Sequence, residues 1–114
     1  MSELKEQFEK KAEEFIQVKE GLIKNYRIST KEMEALRLLF KMKEPSTVGG
    51  LTGPLKVSHS RITRIMDTLV RMKYSTRTPS KNDRRSWMAQ ITKKGLELIE
   101  EYNAALDEFF EETE

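Results

Sequence analysis

The chain has no cysteine, which excludes a disulfide framework, a thiolate metal site and thiol redox sensing. No apolar run approaches the roughly 20 residues that a membrane-spanning helix needs. The opening stretch MSELKEQFEKKAEEF also lacks the apolar segment of a secretory signal, so the expected location is the cytoplasm, away from any membrane. Histidine occurs once, at His59. Nucleophilic catalysis needs a base beside a Ser or Thr, and this single histidine has no identifiable orienting partner, so no catalytic residues and no enzyme are expected. The one glycine cluster, GGLTGP, lacks the Gly-Lys-Ser/Thr ending with which a phosphate loop holds nucleotide and magnesium. Glutamates are spread along amphipathic stretches where solvation and ion pairing account for them, so neither a metal nor a cofactor is expected. The six methionines, among them Met33, Met66 and Met72, read as adaptable core packing rather than a ligand site.

What is present is charge, and it is unevenly placed. Charged residues make up 35% of the 114-residue chain and the hydrophobic set 37%, a balance that suits one helical domain with a modest core. The net charge is only +2, yet residues 56–94 hold eleven Lys or Arg against two Asp, which leaves the remainder acidic. A compact cationic segment of this kind is the electrostatic footprint of a nucleic-acid binder.

Periodicity supplies the elements. From residue 3 to about 27, Leu4, Phe8, Phe15, Ile16, Leu22, Ile23 and Tyr26 recur at helical spacing, with Gly21 as a weak point. Ser29 and Glu32 form a capping box before Met33, Leu36, Leu39 and Phe40, and this second helix ends before Pro45. Thr47 can cap a third helix through VGGLTGPL, short or distorted because its glycines and proline are poor helix formers. Ser58 caps a fourth, in which Ile62, Ile65, Met66 and Leu69 fall at i, i+3, i+4 and i+7. The stretch STRTPSKNDRRSWMAQI has a polar middle, with Trp87 and Ile91 on the returning arm, and reads as a hairpin. Thr92 caps a last helix whose apolar face is Leu96, Ile99, Tyr102, Leu106, Phe109 and Phe110.

The expected fold is therefore mainly α with a small β-hairpin wing, an α+β winged helix-turn-helix. On the fourth helix, 100° per residue puts Ser60, Arg64, Asp67, Thr68 and Arg71 opposite the apolar stripe, with Arg61 at its flank. Arg bonds two acceptors of guanine at once when a helix lies in the major groove, so Ser60, Arg61 and Arg64 are the candidate base readers. His59 is placed to reach bases or phosphate, or simply solvent, while Ser58 both caps the helix and offers a hydroxyl to the DNA backbone. In the hairpin, Arg77, Lys81, Arg84 and Arg85 surround Asp83, a cationic tip suited to a phosphate backbone or a narrow minor groove, with Asp83 pairing a neighbouring guanidinium.

The run from Thr47 to Gly95 resembles the multiple-antibiotic-resistance-regulator (MarR) family of winged helix transcription factors. The resemblance rests on the joint spacing of Ser58, Thr63-Arg64, Asp67, Leu69, Asp83-Arg84-Arg85-Ser86, Ile91-Thr92 and Lys94-Gly95. It implies a regulator, most simply a repressor, that binds double-stranded DNA at a pseudo-palindromic operator as a homodimer, with Asp83 and Arg85 as the wing pair. It also implies that a small aromatic effector lowers DNA affinity. On this basis residues 1–114 form one domain, with a dimerisation helix at 3–27, a DNA-binding core at 29–91 and a second dimerisation helix at 92–112. The partner-facing residues are then Leu4, Phe8, Phe15, Ile99, Tyr102, Leu106, Phe109 and Phe110. The chain departs from the family in its glycine-rich third helix and in lacking a further C-terminal helix, so a reduced or rebuilt dimer interface is expected. The competing expectation is a winged helix that binds protein instead of DNA, since a fold alone does not fix function; cations on both reading elements argue against it.

Overall fold

The computed structural model describes residues 2–42, 44–83 and 85–112. Helix α1 spans Ser2–Asn25 and α2 Thr30–Lys41, followed by strand β1 (Ser46–Thr47) and a 3-10 turn at Gly49–Leu51. Helix α3 spans Thr52–Leu55, α4 His59–Arg71, strands β2 and β3 Ser75–Pro79 and Trp87–Ile91, and α5 Lys93–Glu112.

Local chemistry sets most of these boundaries. Ser29 Oγ accepts from the Glu32 N–H at 3.2 Å, and Glu32 Oε1 accepts from the Ser29 N–H at 2.8 Å, so the capping box forms as expected. Gly21 does not interrupt α1, which runs on until Arg27 turns left-handed at φ 60°. The glycine-rich segment is indeed short and distorted. Thr47 lies in a two-residue strand, and its hydroxyl accepts from the Gly50 N–H at 3.1 Å, while Val48 stands at the N-cap of the 3-10 turn. Strand β1 adds an edge that sequence periodicity does not foresee, giving a three-stranded antiparallel sheet in the order β1-β3-β2. Its registers pair Ser46 with Ala89, Arg77 with Ala89 and Pro79 with Trp87.

The core lies between α2, α4, α5 and the root of the sheet. Ile62, Ile65, Met66 and Leu69 of α4 are all buried, meeting Met33, Leu36 and Leu39 of α2, Leu51 and Leu55 of the glycine-rich segment, and Ile99 and Tyr102 of α5. Phe40 is only half-buried at its edge. The Tyr102 ring is fully covered, with the Arg37 guanidinium 5.9 Å from its centroid. Its hydroxyl has no hydrogen-bond partner among the described residues, and burial raises its pKa against the opposing pull of Arg37.

The junction between α4 and the wing explains the Thr-x-Lys-Gly run at 92–95. Thr92 Oγ1 donates to the Lys73 carbonyl at 2.7 Å and accepts from the Gly95 N–H at 3.1 Å, so one hydroxyl both closes the left-handed turn at Lys73 and caps α5. Lys94 Nζ donates to the Met72 carbonyl at 3.0 Å and lies 4.9 Å from the Tyr74 ring centroid. A Cβ on Gly95 would overlap the carbonyl of Tyr74, so only glycine lets α5 start this close to the turn.

Helix α1 runs antiparallel to α5, held at one end by Tyr26, which donates to Glu101 Oε1 at 2.9 Å. Further out, Phe15 packs on Phe109 and Phe110, with ring centroids 5.9 and 5.4 Å away. The molecule is elongated, 56 × 26 × 23 Å. None of the described helices is long and apolar enough to cross a membrane.

Candidate nucleic-acid interface

Helix α4 buries one face and exposes the other. Ser58 Oγ accepts from the Arg61 N–H at 3.1 Å, which starts the helix cleanly and aims its first turn outward. Around that start His59, Ser60, Arg61, Thr63 and Arg64 are all exposed, and Arg71 is exposed at the other end. The Thr63 hydroxyl donates to the His59 carbonyl at 3.0 Å, a bond back to the preceding helical turn. The His59 imidazole lies close over Gly49, where a Cβ would approach its Cε1 to 3.3 Å. The departure from good helix formers at Gly49 thus leaves room for this ring.

The wing tip is built by Asp83. Its Oδ1 accepts from the Arg85 N–H at 2.9 Å and its Oδ2 from the Ser86 hydroxyl at 3.1 Å, while Ser80 N–H donates to the Ser86 carbonyl at 2.8 Å. Asp83 therefore organises the turn through the backbone of Arg85, and among the described residues it pairs with no guanidinium. Asp83 and Arg85 are thus joined through the backbone N–H of Arg85 and not by a side-chain ion pair, and an ion pair with the other neighbouring guanidinium, Arg84, falls outside the described residues. Both Lys81 and Arg85 are exposed. The remaining cation proposed for the tip, Arg84, lies outside the described residues.

Arg77 behaves differently from the other cations. Its Nη1 donates to Asp67 Oδ1 at 2.7 Å, linking β2 to the exposed face of α4, and its guanidinium stands 5.5 Å from the Trp87 ring centroid. This half-buried side chain is a strut between α4 and the wing rather than a loose cation. Sequence reasoning placed Asp67 on the outward face of α4 but missed its partner. The available signal was that Asp67 is the sole acid of the basic segment outside the wing tip.

The proposed partner-facing residues divide into two groups. Leu4 (69% exposed), Phe8 (74%) and Phe110 (52%) present large apolar surface, and Phe8, Phe15, Phe109 and Phe110 line a cavity of about 410 Å³ with Lys11 and Ala12. Ile99, Tyr102 and Leu106, expected from periodicity to face a partner, are instead buried in the chain's own core. Helical spacing reveals an apolar face but not what covers it.

A short helix, a turn, a second helix with a polar cationic face, and a basic antiparallel wing together define a winged helix protein. The chain belongs to this family: the model for the winged helix DNA-binding domain matches residues 28–95. It is similar to the uncharacterized HTH-type transcriptional regulator YpoP of Bacillus subtilis, 35% identical over 83 residues, which is 73% of this chain. The chain spans 58% of the length of that relative.

Solved structures share the fold. YusO from Bacillus subtilis superposes with a TM-score of 0.90 at 18% identity, covering 99% of this chain and 79% of the other. Tm0710, a transcriptional regulator from Thermotoga maritima, gives 0.78 at 24% over 99% and 79%. A DNA complex of MepR from Staphylococcus aureus gives 0.80 at 19% over 90% and 83%. The expected architecture, mainly helical with a small wing and flanking helices, is thus the one observed.

Proposed function

We propose that this chain is a MarR-type transcriptional regulator, a repressor that reads a pseudo-palindromic operator in double-stranded DNA as a homodimer in the cytoplasm. The observation that carries the reading is the outward face of α4, where His59, Ser60, Arg61, Thr63 and Arg64 stand exposed beside a wing carrying Lys81 and Arg85. Such a helix gives sequence choice through base edges, whereas the wing and the Ser58 hydroxyl give affinity and register through phosphate. Arg71, at the far end of the face, adds a further phosphate contact.

Pairing of two copies is supported by the apolar surface of Leu4, Phe8, Phe15, Phe109 and Phe110 on the α1–α5 stalk, which a second copy would cover. A two-fold dimer sets its reading helices about one DNA turn apart, roughly 34–36 Å, or a multiple of it. A small aromatic effector acting on that separation is carried over from the family resemblance.

Fluorescence anisotropy over a salt series, with the DNA upstream of the protein's own gene and a scrambled duplex, tests the reading. Specific binding to the first is expected. Arg64→Ala should erode discrimination by about 1–3 kcal/mol, and Arg85→Ala should weaken both duplexes and reduce the salt slope by about 1. Equal weak binding to both sequences would refute a specific regulator and favour a protein-binding module.

A further inference from the structure

The single tryptophan belongs to none of the roles assigned so far, and its position is unusual. The pairs Ser75–Ile91, Arg77–Ala89 and Pro79–Trp87 share one face of the hairpin, because residues two apart along a strand point the same way. Ser75 and Ala89 are buried on that face, and Arg77 reaches Asp67 on α4 from it, so it is the face turned toward α4. Trp87 is the outermost residue of the row on β3 and is 48% exposed. A large indole thus overhangs the notch between the outward face of α4 and the wing tip. Arg77, fixed by Asp67, underlies it at 5.5 Å.

If α4 occupies a major groove and the wing the neighbouring minor groove, the DNA strand separating the grooves crosses this notch. What that strand presents there is deoxyribose and phosphate. The charge of Arg77 is already matched by Asp67, so the notch offers an apolar ring face and an indole N–H donor rather than a free cation. We propose that Trp87 is a DNA-backbone contact, its ring packed on a deoxyribose and its Nε1–H donated to a phosphate, with the Asp67–Arg77 pair as the seat that positions it. This rests on the DNA-binding reading above, and it adds a contact that is independent of base sequence and carries no charge.

Because Trp87 is the only tryptophan, its emission reports the contact directly. The test titrates the full chain with a mixed-sequence duplex at low salt, following anisotropy of the labelled DNA together with tryptophan emission and acrylamide quenching. The expected result is that binding changes the emission and shields the ring from quencher. Trp87→Phe, which keeps an aromatic ring but removes the N–H, should weaken binding about tenfold, the scale of one hydrogen bond to a charged group. Trp87→Ala should weaken it at least as much, and both variants should keep the wild-type salt slope, since no cation is lost. Circular dichroism melting checks that each variant folds. A duplex that binds while Trp87 stays equally open to acrylamide overturns the proposal and leaves the DNA-binding reading standing, and the wild-type protein alone decides this. Absence of binding to any duplex defeats both.

Discussion

The head formed by α2–α4 and the wing and the stalk formed by α1 and α5 are built from the same kind of helix, yet they finish their packing in opposite ways. Every position of the α4 stripe is buried within the chain, whereas α1, at 24 residues, buries only Ile23 and leaves Leu4, Phe8 and Ile16 largely in solvent. Amphipathic patterning is therefore a demand for a neighbour, and the fold decides whether that neighbour is internal. The head, basic and self-completed, is suited to hold a fixed shape against DNA; the stalk has apolar surface left over.

The contrast can be broken most directly at Leu69. It is fully buried, so Leu69→Ala should cost about 2–5 kcal/mol in urea unfolding and abolish DNA binding near its new midpoint. A loss below about 1 kcal/mol would mean that the head is not the tightly packed unit described. In the stalk the matching change has a different signature. With the stalk pairing two copies as proposed, Phe8→Ser should leave unfolding of the single chain nearly untouched but weaken that pairing by roughly 30-fold, the scale of one interface anchor, as read by light scattering against concentration. A Phe8→Ser protein that associates as tightly as the parent would remove the distinction.

The smallest effect lies at the joint between the two regions. Burial and the hydrogen bond to Glu101 push the Tyr26 hydroxyl up to about 12 from its ordinary 10.0. The folded state thus holds this proton more tightly than the unfolded state. The stabilisation is fully present below pH 10 and is lost as pH rises through about 12. Tyr74 and Tyr102 are shifted in the same direction by burial. Tyr26→Phe should flatten the alkaline decline without removing it, and an unchanged profile would detach Tyr26 from the joint.

Much of this was legible in the residues because it is local. The capping box at Ser29 and Glu32, the cap at Ser58 and the stripe Ile62, Ile65, Met66, Leu69 each depend on neighbours within two helical turns, and each forms. So does the polar hairpin tip. What escaped depends on meetings between distant segments. Strand β1 is two residues long and exists only because β3 offers an edge. Asp67 and Arg77 face each other because the turn at Lys73 brings β2 back alongside α4. Ile99 and Tyr102 carry the same spacing signal as Phe109 and Phe110, but the first pair joins the buried core and the second does not. On the candidate interface, residue type and helical phase were enough to put Arg61 and Arg64 on the exposed face of α4, while only geometry separates the braced Arg77 from them.

The Tyr102 hydroxyl leaves the scaffold room for improvement. Sealed in the core with no acceptor among the described residues, it forfeits the water it would bond in the unfolded chain, a loss on the order of 1–3 kcal/mol. A phenyl ring of the same outline carries no such loss. Tyr102→Phe is thus a route to a hardier protein whose exposed α4 and wing surfaces are untouched, a more robust background on which weakened variants of those surfaces can be purified and compared.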